Sequence, residues 1–404
     1  MKKNKLVSHS QHNEVKSIIK TLSKKVSDNL TKESKSGLFS GLSGYLLFLY
    51  NAYKFSKSYV DEEFFLDAFE KLQEQLQHQS LELNNGLAGQ AWLVEYLSQS
   101  ESQQYDSELL DDIDSLFKNS LTHDGILSGE IEIVLGLSGF IPYISKRHLF
   151  SNQKDLYSKV VAKLAAEATY FENGQISWSQ PIESAFRFEK RDETFSEFNL
   201  GFAHGVPGII AALLPALQIP PLEKQVRQLL IGSCDWLLCN QSKSLTDGSC
   251  FGNCAGEMHE SRLGWCYGDL TIALTLARVG KAIDNPHYVE RALNIALHAA
   301  KRDAKSGFIY DAGICHGYFG LVIIFQLLNK IMPHPKLYQA VQDWLQYGLE
   351  KYKKEGVSSL YAYDLIENKS YEDFSFLTGY SGIGLVLLGV LTDEPNWADC
   401  LLMA

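Results

Sequence analysis

The amino-acid sequence predicts an all-α chain folded as an (α/α)7 toroid of seven inner and seven outer helices, and three observations carry the prediction. A glycine signature recurs seven times, apolar stretches follow most copies, and amphipathic segments lie between them. The copies are Gly41-Leu-Ser-Gly44, Gly86-Leu-Ala-Gly89, Gly136-Leu-Ser-Gly139, Gly205-Val-Pro-Gly208, Gly268-Asp-Leu-Thr271, Gly317-Tyr-Phe-Gly320 and Gly379-Tyr-Ser-Gly382, the fifth departing at Thr271. Their first glycines are 45, 50, 69, 63, 49 and 62 residues apart, room for two helices per unit. Self-similarity at such periods marks a repeat architecture.

The inner helices follow the glycines. Tyr45 to Tyr50, Ala91 to Val94, Ile209 to Leu214, Ile272 to Leu276, Leu321 to Phe325 and Leu385 to Leu388 are apolar almost all round, the pattern of helices buried on every side. The outer helices are one-sided. Val60 to Gln77 stacks Phe64, Ala68, Leu72 and Leu76 at four-residue steps, with Asp61, Glu62, Glu70 and Gln73 elsewhere. His287 to Ala300 follows the start signal Asp284-Asn285-Pro286 and stacks Ala292, Ile295, Ala296 and Ala299; Pro335 opens another through Leu337, Val341 and Leu345. Every inner helix needs cover on its outward side, so the alternation closes into two concentric rings. An open solenoid would carry polar end caps, whereas the last repeat, Gly379 to Val390, is as apolar as the middle ones. The whole chain, 1–404, reads as a single domain with an N-terminal helical lead over about 1–36 and an inserted loop over about 173–198.

Composition narrows the function classes. With 45% hydrophobic and 21% charged residues the chain can bury a large core, and a net charge of −11 disfavours a nucleic-acid-binding face, which rests on Lys and Arg against phosphates. The start MKKNKLVSHSQHNEVKS is basic with no apolar region behind it, which points to a cytoplasmic protein. Two uncharged stretches, Gly205 to Leu222 and Phe376 to Thr392, approach membrane-spanning length, but their prolines and glycines fit buried helices better. Seven cysteines are too few and too odd in number for a disulfide framework, which turns attention to metal binding and catalysis. Cys234, Cys239 and Cys400 read as packing residues.

Glycines at the start of inner helices gather the seven motifs at one end of the ring, so residues just ahead of them converge on one mouth. Three copies carry reactive side chains there: Ala203-His204-Gly205, Trp265-Cys266-Tyr267-Gly268 and Ile314-Cys315-His316-Gly317. Cys266, Cys315 and His316 supply two thiolates and an imidazole, the three-ligand set of a catalytic zinc with an open fourth position, one zinc per chain. Cys315 and His316 are adjacent in sequence, so they can act together in a turn but not on one helix face. Cys250 and Cys254, in the loop from Asp247, are a competing pair with no third ligand at a motif position.

The string Ser261-Arg-Leu-Gly-Trp-Cys-Tyr-Gly-Asp269, followed by Cys315-His316-Gly317 and preceded by Asn199-Leu-Gly-Phe-Ala-His-Gly-Val-Pro-Gly208, resembles the signature of the LanC lantibiotic cyclases, and the resemblance spans essentially the whole chain. It implies a zinc-dependent lanthionine synthetase that adds peptide cysteine thiols to dehydroalanine or dehydrobutyrine. It also implies that Cys266, Cys315 and His316 hold the metal, that His204 and Arg262 are catalytic, and that Trp265 and Tyr267 line the site. One position departs from the family pattern. Four residues before Gly136, where the family commonly has Asp, this chain has Glu132, either a carboxylate that fixes the tautomer of His204 or a solvent-facing or helix-capping residue.

A dehydrated precursor peptide is the partner this resemblance implies, with a separate dehydratase and an exporter as further members of a complex; membrane association would be indirect, through that complex. Two other readings of the same residues stay open. One is a thiol-alkylating zinc enzyme of the prenyltransferase type, which would usually carry a carboxylate among its ligands. The other is a non-catalytic LanC-like protein that holds glutathione or another thiol. The insert carries Ile176-Ser-Trp-Ser-Gln-Pro-Ile182 and Phe186-Arg-Phe-Glu-Lys-Arg191 close to His204, and reads equally as a peptide-contacting lid or a variable surface loop.

Overall fold

A computed structural model describes residues 6–74, 80–100, 108–121, 130–148, 154–181, 196–242, 248–256 and 259–404. The Phe186 to Arg191 segment, Asp247 and the Leu76–Gln77 end of the first amphipathic segment lie outside those residues. Among the described residues are fourteen α-helices: α1 His9–Asn29, α2 Leu42–Phe55, α3 Glu62–Glu74, α4 Leu87–Ser100, α5 Asp111–Ser120, α6 Ile141–His148, α7 Lys154–Ala166, α8 Val206–Leu213, α9 Pro220–Cys239, α10 Asp269–Ala282, α11 Pro286–Ala299, α12 Tyr318–Ile331, α13 Pro335–Glu355 and α14 Tyr380–Thr392. The even-numbered helices form the inner ring and the odd-numbered ones the outer.

The inner ring closes on itself. Around it α2 packs on α4, α4 on α6, α8 on α10, α10 on α12, α12 on α14 and α14 back on α2, while α8 meets the turn that leads into α6. The N-terminal lead supplies the seventh outer helix, because α1 packs over the seam between α14 and α2. Its start is fixed by a capping box in which Ser8 and Gln11 exchange bonds, and α11 starts on Asn285, whose side chain accepts from the backbone of His287 and Tyr288. Among the described residues no helix is long and apolar enough to cross a membrane.

Two inner helices depart from the expected regularity. The third begins as a 3-10 turn, Leu137–Phe140, before becoming α6. The fourth stops at Leu213 and continues as the 3-10 turn Leu214–Gln218, because Pro215 has no N–H to donate back. Regular strands are short: β1 Thr169–Tyr170 pairs with β2 Ile176–Ser177, β3 Gln180–Pro181 with β4 Ser196–Glu197, and β5 Ala362–Asp364 with β6 Lys369–Tyr371, all antiparallel. The first two ladders form the described part of the insert, anchored by the fully buried Trp178, whose Nε1 donates to Leu164 O at 2.7 Å.

The seven glycine loops are stitched into one ring by backbone hydrogen bonds, at least one between each neighbouring pair. Phe39 N donates to Asn84 O (3.0 Å), Asn84 N to Val134 O (3.1 Å), Ile133 N to Ala203 O (3.3 Å) and Ala203 N to Cys266 O (3.2 Å). Trp265 N donates to Cys315 O (2.7 Å), Cys315 N to Leu377 O (2.9 Å) and Phe376 N to Phe39 O (3.1 Å). Such proximity demands bare backbone: a Cβ at Gly382 would overlap Phe376 O and meet Ile314 of the preceding repeat. The axis beneath the ring is filled from the other side by the C-terminal 3-10 turn Asn396–Leu401. Lys146 binds its Asp399 at 3.1 Å, Arg278 donates to Leu402 O, and Trp397 packs edge-on to Phe376.

Between α4, α5 and α6 lies a buried charge network. Arg147 is fully buried and donates to Asp114 at 2.6 and 3.0 Å and to Asp111 at 2.9 Å, while Glu95 is 3.5 Å away and Tyr143 donates to Asp114 at 2.6 Å. Removing one partner strands buried carboxylates without their counter-charge. Arg147→Ala is therefore expected to lower stability by about 3–5 kcal/mol, read from denaturant-induced unfolding; a loss below about 1 kcal/mol, the range of an exposed pair, would show that the network does not hold these helices together.

Candidate metal and proton-transfer site

The site is assembled by three consecutive glycine loops. His204 sits just ahead of α8, Cys266 just ahead of α10, and Cys315 and His316 just ahead of α12, all in turns rather than on helix faces. The hydrogen bonds joining Ala203 to Cys266 and Trp265 to Cys315 are links of the ring described above, so the register of the site is set by the toroid's own closure.

Cys266, Cys315 and His316 each offer a ligand atom, and these atoms lie within 4.8 Å of one another. Among the described residues no other group of three or more His, Cys, Asp or Glu gathers in this way. The competing pair does not: Cys250 is buried, its thiol pushed up by that burial and by Asp269. Both cluster cysteines are partly exposed. A hydrogen bond from Cys315 holds Cys266 well below the ordinary thiol range, while the same bond and burial raise Cys315. Burial pushes the His316 imidazole down, but its neighbours Asp311 and Cys266 outweigh this and hold it at about 9.

Asp311, a residue the sequence reading passed over, explains how His316 is oriented. Its Oδ2 lies 3.1 Å from His316 Nε2 and its Oδ1 accepts from Gly313 N at 3.0 Å. The other ring nitrogen, His316 Nδ1, is buried with no hydrogen-bond partner among the described residues. A donor set of two thiols and an imidazole whose second nitrogen stands 3.1 Å from a carboxylate fits zinc, and the buried, unpartnered Nδ1 is placed as a ligand atom would be.

His204 belongs to a second cluster. Its Nδ1 is 2.8 Å from Glu132 Oε2, and both residues are buried. Glu132 stands in the loop ahead of Gly136, since the inner helical segment begins at Leu137. The solvent-facing alternative is excluded by its full burial between Ile131 and Ile133. The carboxylate is fixed by the backbone N–H groups of Val134 (2.9 Å) and Leu135 (2.5 Å), so it cannot swing away from the imidazole.

Arg262 lies six residues ahead of Gly268 and is partly exposed; its charge favours the thiolate forms of both Cys266 and Cys315, and it makes no ion pair among the described residues. Tyr267 accepts a hydrogen bond from Asn199 Nδ2 at 2.9 Å, and its ring lies against Gly201, where any Cβ would collide with it. Burial pushes its hydroxyl above the usual tyrosine range. Trp265 is placed differently from the expectation that it lines the site. It is fully buried toward the axis, edge-on to Phe39 at 5.9 Å and to Phe202 at 6.1 Å, with Nε1 donating to Leu401 O at 3.2 Å. Cys234 and Cys400 are buried as expected, but Cys239 is exposed at the end of α9 and accepts from Gln175 Nε2 at 2.8 Å.

A closed double ring of helices with two thiols and an imidazole gathered at one mouth defines a toroidal protein whose loops carry a group that could hold a metal ion. The model of the family described as "Lanthionine synthetase C-like protein" matches residues 9–402, and the chain belongs to that family. It is 24% identical over 329 residues to the nisin biosynthesis protein NisC of Lactococcus lactis subsp. lactis, a match covering 76% of this chain and 72% of NisC. The solved structure of nisin cyclase superposes with a TM-score of 0.72 at 20% identity, covering 98% of both chains, which supports the toroidal fold.

Proposed function

We propose that this protein is a zinc-dependent lanthionine cyclase that adds cysteine thiols of a dehydrated peptide across dehydroalanine or dehydrobutyrine, forming lanthionine or methyllanthionine rings. The observation that carries the reading is the Cys266, Cys315 and His316 cluster with its orphaned imidazole nitrogen. Membership of the family and the similarity to NisC support the reaction class.

Cys266, Cys315 and His316 would hold the zinc, and Asp311 would fix the His316 ring. Bound there, zinc supplies a Lewis acid that makes a peptide thiol acidic enough to act as a nucleophile near neutral pH. The remaining work falls to the chain's own residues. As sulfur bonds to the β-carbon, the double-bond electrons shift toward the neighbouring carbonyl oxygen, and Arg262, always cationic, stabilises the charge developing there. His204 moves protons. With Nδ1 committed to Glu132, Nε2 is the nitrogen that exchanges a proton, either with the incoming thiol or with the α-carbon. The net reaction adds S–H across the C=C bond, with no redox partner. Tyr267 shapes the wall beside this path.

The dehydrated peptide would meet the protein in the cytoplasm, with a dehydratase upstream because the substrate must already be dehydrated, and with an exporter as a further member of a complex. The test is direct. Purified protein should contain about one zinc per chain, the number that one three-ligand catalytic site implies. Dialysis against a chelator should abolish cyclisation of a dehydrated peptide, and added zinc should restore it. Full zinc occupancy without thioether formation on any dehydrated peptide would overturn the cyclase reading in favour of simple thiol binding.

A further inference from the structure

Among the described residues Arg262 has no ion pair to aim it, yet its backbone is clamped at three successive residues. Ser261 O accepts from Arg302 Nη2 at 2.7 Å, Leu263 N donates to Gly307 O at 2.9 Å, and Arg262 O packs so tightly on Gly268 that any Cβ there would overlap it. Gly268 has φ of +110°, a conformation that L side chains rarely adopt. This is the only first glycine of the seven motifs with positive φ, and it begins the repeat in which Thr271 replaces the second glycine.

Arg302 is the hub of that clamp. It lies just beyond the end of α11, is 4% exposed, and donates through Nε and Nη2 to Ser306 O at 3.1 and 2.5 Å as well as to Ser261 O. Its Nη1 stands 3.8 Å from Asp269 Oδ2 and makes no hydrogen bond among the described residues. Asp269, the first residue of α10, is fully buried and accepts from the backbone N–H groups of Cys250 (2.9 and 3.0 Å) and Phe251 (3.1 Å). Phe251 O in turn accepts from Ser261 Oγ at 2.8 Å, and Ser249 Oγ accepts from Ser261 N at 2.9 Å. One buried guanidinium and carboxylate thus bind three segments: the turn after α11, the loop 248–251, and Ser261, next to Arg262.

We infer that Arg302, with Asp269 as its counter-charge, is a positioning residue that fixes where the Arg262 guanidinium stands above Cys266 and Cys315. The inference rests on the proposed role of Arg262 in cyclisation. An ion pair kept fully buried costs desolvation, and surface loops of this length are commonly held without one. What this pair secures is the carbonyl one residue before Arg262. Neither Arg302 nor Asp269 belongs to the metal cluster.

The experiment is a double-mutant cycle on the zinc-loaded protein with a dehydrated peptide, combining Arg302→Met with Arg262→Ala and measuring kcat, KM and zinc content. Arg302→Met alone should lower kcat by about 10- to 100-fold, the cost of a misplaced catalytic group, with KM and zinc unchanged. In the Arg262→Ala background the same substitution should have no further effect. Equal losses in both backgrounds would overturn the positioning role, as would zinc loss in proportion to activity. Full activity of Arg262→Ala alone would overturn the underlying reading of Arg262, a different result from additivity. If Arg302→Met does not fold, Arg302→Lys replaces it: lysine keeps a charge near Asp269 but has no planar fork to hold Ser261 O and Ser306 O together, and the same non-additive kcat loss is expected.

Discussion

Replacing Cys315 with alanine is expected to strip the metal and thioether formation together, with zinc falling well below one per chain and turnover dropping by more than about 100-fold. The scale comes from comparison with indirect contacts. Residues that merely orient a ligand cost about 10- to 100-fold in metal affinity or activity when replaced, and Cys315 is in the ligand group itself. Removing it also removes the hydrogen bond that lowers Cys266, leaving one thiol and one imidazole. Asp311→Asn provides the graded control. It keeps all three ligand side chains but replaces the carboxylate 3.1 Å from His316 Nε2 with a neutral amide, so zinc affinity should fall by about 10- to 100-fold while saturating zinc restores turnover. Cys315→Ala should not be restored by zinc. Full metal and full activity in Cys315→Ala would remove the cluster from the site.

The parts legible in the sequence and the parts hidden from it differ in kind. Seven glycine motifs and the apolar runs behind them announce both rings, since a helix apolar on all sides must be buried and a neighbour must bury it. The two exceptions were not legible from that pattern. The third inner element starts at Leu137, straight after Gly136 like the others, but as a 3-10 turn, and Glu132, counted back from Gly136, falls in the loop ahead of it, where it accepts from Val134 and Leu135. Trp265 neighbours Cys266 in sequence, but successive residues of an extended loop point in opposite directions, and its indole goes to the axis. Asp311, Asn199 and Arg262 share one feature that could have been read: each stands six residues before the first glycine of its motif. At that position Asn199 and Asp311 turn Oδ1 onto the N–H two residues on, and Asn199 Nδ2 reaches Tyr267 while Asp311 Oδ2 reaches His316. Arg302 could not have been found so, because it enters from the outer ring and its partners are two backbone carbonyls and a residue 33 positions earlier.

The His204 and Glu132 pair makes the sharpest kinetic prediction, because it separates proton transfer from metal binding. His204→Asn keeps a polar side chain of similar reach but has no group that titrates near neutral pH, so cyclisation should fall by about 100- to 10,000-fold, the range of general acid–base contributions, while zinc content stays at its wild-type level. Loss of zinc in step with activity would instead make His204 a ligand. Glu132→Gln tests the orientation. The amide keeps the shape and one acceptor oxygen for the N–H groups of Val134 and Leu135, but it replaces the carboxylate oxygen that faces His204 Nδ1 at 2.8 Å with a neutral amide group. Turnover should drop by about 100-fold or more, the lower end of that range, with zinc unchanged, while stability falls by about 1–3 kcal/mol because the amide nitrogen leaves one of the two buried backbone N–H groups without its acceptor. Glu132→Asp is the informative third variant. A shorter carboxylate retreats from His204 or from the two backbone donors, and this loop is set for the longer arm, so activity below wild type is expected. Higher activity in Glu132→Asp would mean that the loop tolerates glutamate without being built for it, and unchanged cyclisation in Glu132→Gln would leave the carboxylate a purely structural anchor for Val134 and Leu135.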